Sequence, residues 1–210
     1  MEQQSKGFSL DRLSNYYDLI SPTEKSKFRR KQIGLMDIRE GEKVLEVGCG
    51  TGSLAILSKI AVRESGEVQG IDIAPKMIRR AQQKANKAGL EINFIIASVD
   101  TLPYSDNYFD LVISSLMFHH LPIEFKKKGL EEIYRVLKWE GRLFLCDFCS
   151  PYFLMSPLMC LMLIWISSTR YQLFGKLPDL IRECNFKKIE LKKKGAFLEH
   201  YLIRKKLKEE

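Results

Sequence analysis

From residue 43 onward, short apolar runs alternate with amphipathic segments, and this alternation constrains the fold more than any other feature of the sequence. The apolar runs have the length and β-branched content of strands buried on both faces, and they cover 44–47, 68–73, 92–96, 109–114 and 142–148. Helical patterns are predicted over 51–63, 76–88 and 123–137. Because strands that alternate with helices form βαβ units, we predict an α/β fold with a mostly parallel sheet covered on both faces.

The carboxy-terminal part predicts a helix over 177–184 and two strands over 187–192 and 197–205. A short turn at Lys194-Gly195 joins these strands, so they should pair antiparallel. The first 40 residues are helical and amphipathic in places and are predicted to form a cap. The chain has 210 residues and no repeat or low-complexity linker, so residues 1–210 are predicted to be a single domain.

A glycine-rich loop, Gly48-Cys49-Gly50-Thr51-Gly52, lies between the first predicted strand and its helix. Glycines allow a tight turn and a close approach of a ligand to the main chain. The N–H groups that open the following helix favour an anionic or polar ligand. Asp72 ends the next strand, where a carboxylate can accept both hydroxyls of a ribose. The combination predicts a cofactor that contains a nucleoside.

A dinucleotide site requires a further glycine at position 53, where this chain has a serine, and this disfavours a nicotinamide-dependent oxidoreductase. The run 44–52 instead closely resembles motif I of the class I S-adenosylmethionine-dependent methyltransferases. Segments 102–110, 118–121 and 135–141 resemble further motifs of that family, in the expected order. The resemblance covers roughly residues 10 to 148 and is greatest to the small-molecule branch that includes the ubiquinone/menaquinone biosynthesis C-methyltransferases.

The resemblance implies a Rossmann-like three-layer sandwich with seven strands in the order 3-2-1-4-5-7-6, strand 7 being antiparallel. It implies S-adenosyl-L-methionine as cofactor, with the glycines along its methionine part, Asp72 on its ribose, and Ile73 and Met77 about its adenine. Tyr17 would cover the cofactor, and Glu46 would help hold its amino group. The complete set of predicted cofactor-binding residues is Tyr17, Glu46, Gly48, Cys49, Gly50, Gly52, Asp72, Ile73, Met77, Ser98, Val99, Ser115 and His120.

Three positions depart from the family pattern. Ser98 replaces an aspartate that accepts the adenine amino group in relatives, and Asp100 is the residue that could compensate. The usual Pro-Gly before strand five is Glu140-Gly141. The quinone branch has Arg-Asn where this chain has His119-His120, which weakens the case for a quinone substrate.

Methyl transfer from a sulfonium depends chiefly on alignment of the reacting atoms, and it needs a base only if the acceptor must lose a proton. His119 and His120 follow strand four at the carboxyl edge of the sheet, and they are the candidate catalytic residues. The alternatives are that one histidine caps the loop while the other packs, or that His120 lines the cofactor or substrate. No metal site is predicted. The chain has five cysteines, and two of them, at 146 and 149, form a single CxxC on an apolar run. This pattern is typical of reduced thiols rather than zinc ligands.

Residues 150–170 follow strand five and are rich in methionine and other apolar side chains. Methionine suits irregular ligands, so we predict a lid over a lipophilic acceptor, with ordinary core packing or a dimer interface as the alternatives. We further predict that residues 153–166 and the basic carboxy-terminal region contact a membrane surface. The unbroken apolar part, 158–166, is too short to span a bilayer, which requires about 20 residues.

The net charge is +8, and residues 170–210 hold twelve basic against six acidic side chains. No aromatic residues are interleaved with the lysine runs as a single-strand nucleic-acid binder requires, so nucleic acid is not a predicted partner. The polar amino terminus and the cysteine pattern predict a cytoplasmic protein.

We therefore expect an S-adenosylmethionine-dependent methyltransferase of a small lipophilic acceptor, such as a quinone-like, phenolic or lipid-like molecule. The alternative is a non-catalytic or regulatory protein that binds the same cofactor. A nucleic-acid methyltransferase is disfavoured, because Ser114-Ser115-Leu116-Met117 does not resemble the Asn-Pro-Pro-Tyr type of motif that base-flipping members carry after strand four.

Overall fold

The computed structural model describes residues 26–148, 176–195 and 198–205. Tyr17, the predicted lid 150–170 and the predicted membrane-contacting residues 153–166 lie outside these ranges. Seven strands are described: β1 Lys43–Val47, β2 Glu67–Asp72, β3 Asn93–Ile96, β4 Phe109–Ser115, β5 Leu137–Phe148, β6 Lys188–Lys194 and β7 Leu198–Arg204.

The described helices lie between these strands and before the first of them. They are α1 Ser26–Ile33, α2 Ser53–Val62, α3 Pro75–Lys87, α4 Ile123–Val136 and α5 Leu177–Glu183, with a short 3-10 helix at Phe118–His120. Pro75 is in the first turn of α3, where its missing N–H costs no helical hydrogen bond.

All seven strands belong to one sheet in the order β3-β2-β1-β4-β5-β7-β6. The first five pair in parallel, and β7 is antiparallel to both β5 and β6. The predicted strand order and the Rossmann-like fold class are therefore confirmed. That the whole chain forms one domain stays a prediction.

Hydrophobic residues cover both faces of the sheet. This explains why the buried strands are continuous apolar runs in the sequence. In β1, Leu45 and Val47 belong to one core cluster, whereas Val44 belongs to the cluster on the opposite face. The first cluster includes Leu130 and Ile133 of α4. Successive side chains of a strand point to opposite faces, so a strand between two helical layers buries side chains at nearly every position.

Strand β5 begins earlier than predicted, at Leu137 rather than at residue 142, directly after α4. Phe109 of β4 pairs with Leu137 and Leu111 pairs with Arg142, so β5 contains a bulge between these pairs. Within the bulge Glu140 has a φ of 65°, and a Cβ on Gly141 would lie 2.7 Å from the carbonyl oxygen of Lys138. The predicted turn exists, but as an irregularity inside a longer strand.

A buried ion pair fastens the segment after α1 to the sheet. The guanidinium of Arg142 donates to both carboxylate oxygens of Glu42, at 2.8 and 2.7 Å, and its Nε donates to the carbonyl of Met36 at 2.9 Å. Arg142 is 4% exposed and Glu42 is 9% exposed. The two-bond geometry and the added carbonyl acceptor offset the cost of removing both charges from water.

Within the described residues, no helix combines the length and the apolar character that crossing a membrane requires.

Candidate functional site

The glycine-rich loop joins the carboxyl end of β1 to the first turn of α2, as the sequence predicts. Its three glycines, Gly48, Gly50 and Gly52, have φ values of 68°, 54° and 75°. L-residues with a side chain rarely adopt this region of backbone conformation, which explains why the turn contains glycines. The loop lies at the carboxyl edge of a parallel sheet, where α/β folds of this kind bind their ligands.

The three glycines have different surroundings. A Cβ on Gly48 would lie 2.3 Å from Cγ of Met117, and a Cβ on Gly52 would lie 2.8 Å from both Ala81 Cβ and Phe94 Cζ. A Cβ on Gly50 would meet no atom within 4 Å. Gly48 and Gly52 therefore allow close packing within the protein, whereas Gly50 borders the open space that a ligand can occupy.

Asp72, at the end of β2, is bonded to this loop. Its Oδ2 accepts the main-chain N–H of Gly50 at 2.9 Å, and its Oδ1 accepts the N–H of Ala74 at 2.9 Å. The carboxylate is half-buried beside the most open position of the loop. A carboxylate has about four lone-pair sites, and it can accept hydroxyl groups of a ligand as well as main-chain N–H groups.

The residue after Asp72 supplies apolar surface. Ile73 is 36% exposed, which is high for an isoleucine that directly follows a central strand. Met77, its predicted partner about the adenine, is 2% exposed. Of this pair, only Ile73 offers exposed surface to a planar apolar ligand in the described structure.

Ser98 and Asp100 are hydrogen-bonded to each other through their side chains, with the Ser98 hydroxyl as donor. The single hydroxyl proton is thus directed to Asp100, and a hydroxyl oxygen is also a hydrogen-bond acceptor. The neighbouring Val99 is 5% exposed and packs in the core. The pair keeps an acceptor close to the position where relatives have an aspartate.

Negative charge surrounds the loop. Glu46 is a buried residue of β1, at 2% exposure, and Asp72 lies on the adjacent strand. Burial and the charges of these two carboxylates raise the pKa of the Cys49 thiol well above its usual value. Cys49 is therefore a neutral residue of the loop rather than a nucleophile, and the acidic surroundings favour a ligand that carries positive charge.

Ser115 ends β4 and takes part in a buried polar cluster with α1. Its hydroxyl oxygen accepts from Arg29 Nη1 at 3.0 Å and from Gln32 Nε2 at 2.8 Å, and Arg29 also donates to Gln32 at 3.1 Å. All three residues are less than 9% exposed. The cluster fixes the start of the described chain against the carboxyl edge of the sheet.

His119 is held by Asp147, the penultimate residue of β5. Asp147 Oδ1 lies 2.8 Å from His119 Nδ1, and its Oδ2 accepts the main-chain N–H of His119 at 3.0 Å. The His119 side chain is 13% exposed, and Asp147 is 2% exposed. One buried carboxylate thus fixes both the ring and the backbone of this histidine.

His120 stacks beside His119, with ring centroids 3.8 Å apart. Burial and the neighbouring His119 lower the pKa of His120 to about 4. The fully buried Lys126 of α4 donates its ammonium group to the carbonyl of Leu121 at 2.7 Å, and burial lowers its pKa to about 8. Because its pKa is about 4, His120 is neutral near pH 7.

The sequence did not identify Asp147, Arg29, Gln32 or Lys126 as site residues. An acidic residue at the end of the apolar run 142–148 was the available signal for Asp147. The predicted residues from the loop, β2 and the segment after β3 do lie along one sheet edge with Ser115 and the two histidines, whereas Tyr17 lies outside the described residues.

Two open clefts of about 540 and 900 Å³ lie near the amino ends of β2 and β3. Lys59, Glu64 and Glu91 contribute to both, and neither cleft includes a residue of the glycine-rich loop. They are therefore separate from the site described above. In the part of the chain that the structure describes, no group of three or more His, Cys, Asp or Glu residues could hold a metal ion.

Comparison with known proteins identifies a methyltransferase domain over residues 44–141. The chain is 34% identical over 143 residues to the ubiquinone/menaquinone biosynthesis C-methyltransferase of Serratia proteamaculans. This alignment includes 67% of the chain and 55% of that enzyme. The chain thus spans about half the length of this curated relative.

Solved structures share the fold. A S-adenosylmethionine-dependent methyltransferase from Aquifex aeolicus superposes with a TM-score of 0.72 at 22% identity, over 91% of this chain and 97% of the other. The cyclase SpnF superposes with a TM-score of 0.67 at 18% identity, over 86% and 80% of the two chains. One backbone thus carries proteins named for two different reactions, so the residues of the site must decide the chemistry.

Proposed function

Since the chain belongs to the class I S-adenosylmethionine-dependent methyltransferases, we propose that it transfers the methyl group of S-adenosylmethionine to a small lipophilic acceptor. The site that would hold the cofactor extends from Asp72 and Ile73, across the loop 48–52, to the residues after β4. The proposal rests on the residues of this edge and on the S-adenosylmethionine dependence named for the Aquifex aeolicus protein. It concerns an activity of the whole protein.

The observation that carries the proposal is the pairing of Gly50 with Asp72. Gly50 borders open space that a Cβ would partly fill, and its N–H is donated to a carboxylate able to accept ribose hydroxyls. The acidic surroundings of Cys49 suit a cofactor with a positively charged sulfur and ammonium group. These features fit the nucleoside and the sulfonium of S-adenosylmethionine together.

The protein's own residues would bind and orient. Asp72 would hold the ribose, Ile73 would contact the adenine, and the Ser98 oxygen, whose proton is directed to Asp100, would accept the adenine amino group. When bound, S-adenosylmethionine supplies a methyl group on a sulfur that leaves as a neutral thioether. The protein therefore needs chiefly to align the acceptor with this methyl group, which supplies about 7–11 kcal/mol in well-oriented systems.

For the acceptor we propose a lipophilic molecule. The Serratia relative is named for ubiquinone/menaquinone biosynthesis, and the methionine-rich residues 150–170 favour an apolar ligand by their composition. The presence of His119-His120, where the quinone branch has Arg-Asn, favours an acceptor that differs from that of the quinone enzymes.

Calorimetric titration with S-adenosylmethionine and, separately, with NAD tests the cofactor. We expect binding of the first and none of the second at millimolar concentration, and the reverse result would overturn the proposal. Incubation with methyl-labelled cofactor and fractionated lipophilic extracts then tests transfer. Label should enter an extractable small molecule only when the protein is present.

The second candidate is a protein that binds S-adenosylmethionine without transferring its methyl group. The observation that favours it is Ser98, a weaker acceptor than the carboxylate of relatives. Tight binding in the titration, together with no label transferred from any extract, would favour this candidate over the enzyme.

A further inference from the structure

His119 is positioned by contacts that determine the chemical state of its ring. Asp147 is buried in β5, and an ionised carboxylate can only accept hydrogen bonds. The nitrogen that faces it, His119 Nδ1, must therefore be the one that carries the proton. In the neutral ring the other nitrogen, Nε2, is then an unprotonated acceptor.

The surroundings of the His119 ring limit its movement. The carboxylate that contacts Nδ1 also accepts the main-chain N–H of His119, and Phe148 packs edge-on against the ring with centroids 4.8 Å apart. His120 packs on another side of the ring. A 180° flip of the ring would place Cδ2 where Nδ1 stands and would break the contact with Asp147.

The position of the ring relative to the cofactor site follows from Met117. Its side chain packs on Gly48, so close that a Cβ there would lie 2.3 Å from Met117 Cγ. His119 is two residues further on, at the carboxyl edge between β4 and β5. Met117 thus connects the turn that carries His119 to the glycine-rich loop, along which the methionine part of the cofactor would lie.

From this geometry we propose that His119 Nε2 is the general base of the reaction, that Asp147 is its positioning residue, and that the acceptor is a phenol. The inference rests on the proposed methyl transfer. The acceptor's O–H bond breaks as its proton passes to Nε2, and the oxygen forms a bond to the methyl carbon. The carbon–sulfur bond breaks with its electron pair on sulfur, which leaves a neutral thioether and an imidazolium beside Asp147.

The charges around His119 suit this step. Asp147 of β5 stabilises the imidazolium, His120 in the same turn is neutral at assay pH, and Lys126 of α4 is the nearby cation. Lys126 donates to the carbonyl of Leu121. An amine acceptor requires no such base when it is neutral, so the arrangement favours an acceptor with an acidic hydroxyl.

The first test needs no substrate. The chain has three histidines, so nitrogen NMR of the labelled protein can be assigned with His120→Asn and His200→Asn variants. We expect neutral His119 to be protonated at Nδ1, and we expect Asp147→Asn to abolish this preference. A wild-type His119 protonated at Nε2 would overturn the assigned base.

The second test compares variants on alkylphenols, on nitrophenols that are already ionised, and on primary amines. His119→Asn should lower phenol methylation by about 100- to 10,000-fold with S-adenosylmethionine affinity unchanged within about two-fold. The loss should shrink on ionised nitrophenols. His200→Asn, which removes the histidine of β7, is the matched control and should have a much smaller effect. Asp147→Asn should lower the rate on phenols with S-adenosylmethionine affinity unchanged within about two-fold, because the His119 ring is no longer held with its proton on Nδ1.

The outcomes separate this inference from the proposed function. Without S-adenosylmethionine binding, both fail. If the cofactor binds and phenols are methylated equally well by His119→Asn and the wild type, only the assigned base fails. Methylation of amines alone, or of no compound tested, would overturn the inferred acceptor class.

Discussion

Asp72 Oδ2 accepts the main-chain N–H of Gly50 at 2.9 Å, which links the end of β2 to the most open position of the glycine-rich loop. The same carboxylate is the predicted ribose ligand. Asp72→Ala should therefore weaken binding of S-adenosylmethionine by about 1.5–3 kcal/mol, because charge-assisted hydrogen bonds are lost. Calorimetric titration measures this change. Asp179→Ala, which removes an exposed carboxylate of α5, is the control and should leave affinity unchanged. Equal affinities of the two variants would remove Asp72 from the site.

Gly50 and Gly89 form a matched pair for substitution. Both have positive φ, at 54° and 65°, and a Cβ on either would meet no atom within 4 Å. Each alanine variant should lose about 1 kcal/mol of unfolding free energy through backbone strain. Only Gly50→Ala should also weaken cofactor binding, since its methyl group enters the proposed site. Urea unfolding and calorimetry measure the two effects, and equal cofactor affinity in both variants would contradict the assignment of the open space.

Ser115→Ala should destabilise the attachment of α1. It removes the buried acceptor of Gln32 Nε2 and one of the acceptors of Arg29, at a cost of about 1–3 kcal/mol. The control is Ser58→Ala, because the buried Ser58 hydroxyl has no hydrogen-bond partner within the described ranges. That control should be neutral or stabilising. Chemical denaturation gives both values, and hydrogen exchange should report faster opening of α1 only for the Ser115 variant.

Glu42→Ala should lower the unfolding free energy by about 3–5 kcal/mol, because it leaves the buried Arg142 guanidinium without its counter-charge. Removal of Asp179, whose ion pair with Arg182 is exposed, should cost less than about 1 kcal/mol. Urea unfolding at one temperature compares the two variants. Similar losses would mean that the buried pair contributes no more than a surface pair.

Burial of His120 predicts a loss of stability in acid. Its pKa is about 4 in the folded state, against 6.5 for an unperturbed histidine, so between these values the unfolded chain binds the proton and the folded chain does not. The unfolding free energy therefore falls as pH falls through this window, by about 1–3 kcal/mol from this residue. In His120→Asn the fall between pH 7 and pH 4 should be smaller by that amount. His200, whose pKa burial also lowers, retains its contribution in both proteins.

The five parallel strands and the glycine-rich loop were predictable because each strand is a short apolar run and the loop is continuous in sequence, and the order of the strands followed from the family resemblance. The start of β5 was not predictable in this way. Trp139 and Glu140 are exposed and Gly141 follows them, which is the composition of a free turn. In the structure these residues lie within a bulge of β5, because Leu137, which precedes them, already pairs with Phe109 of β4.

The contacts that define the catalytic proposal were beyond prediction for a physical reason. Asp147 is 28 residues from His119, and their contact depends on the register in which Ser115 of β4 is opposite Cys146 of β5. Arg29 and Ser115 are 86 residues apart and meet only when α1 packs against the sheet. A single sequence does not reveal the register in which its strands pair. It therefore indicated the histidines but not the carboxylate that orients one of them.

The position of β7 between β5 and β6 has a consequence for biosynthesis. On the growing polypeptide, β6 emerges before β7, its partner in the described sheet, and β5 lacks its β7 neighbour until residues 198–204 have been translated. An exposed strand edge is a template for pairing with other chains. The ribosome-bound intermediate is thus the stage at which chaperone protection matters most for this fold.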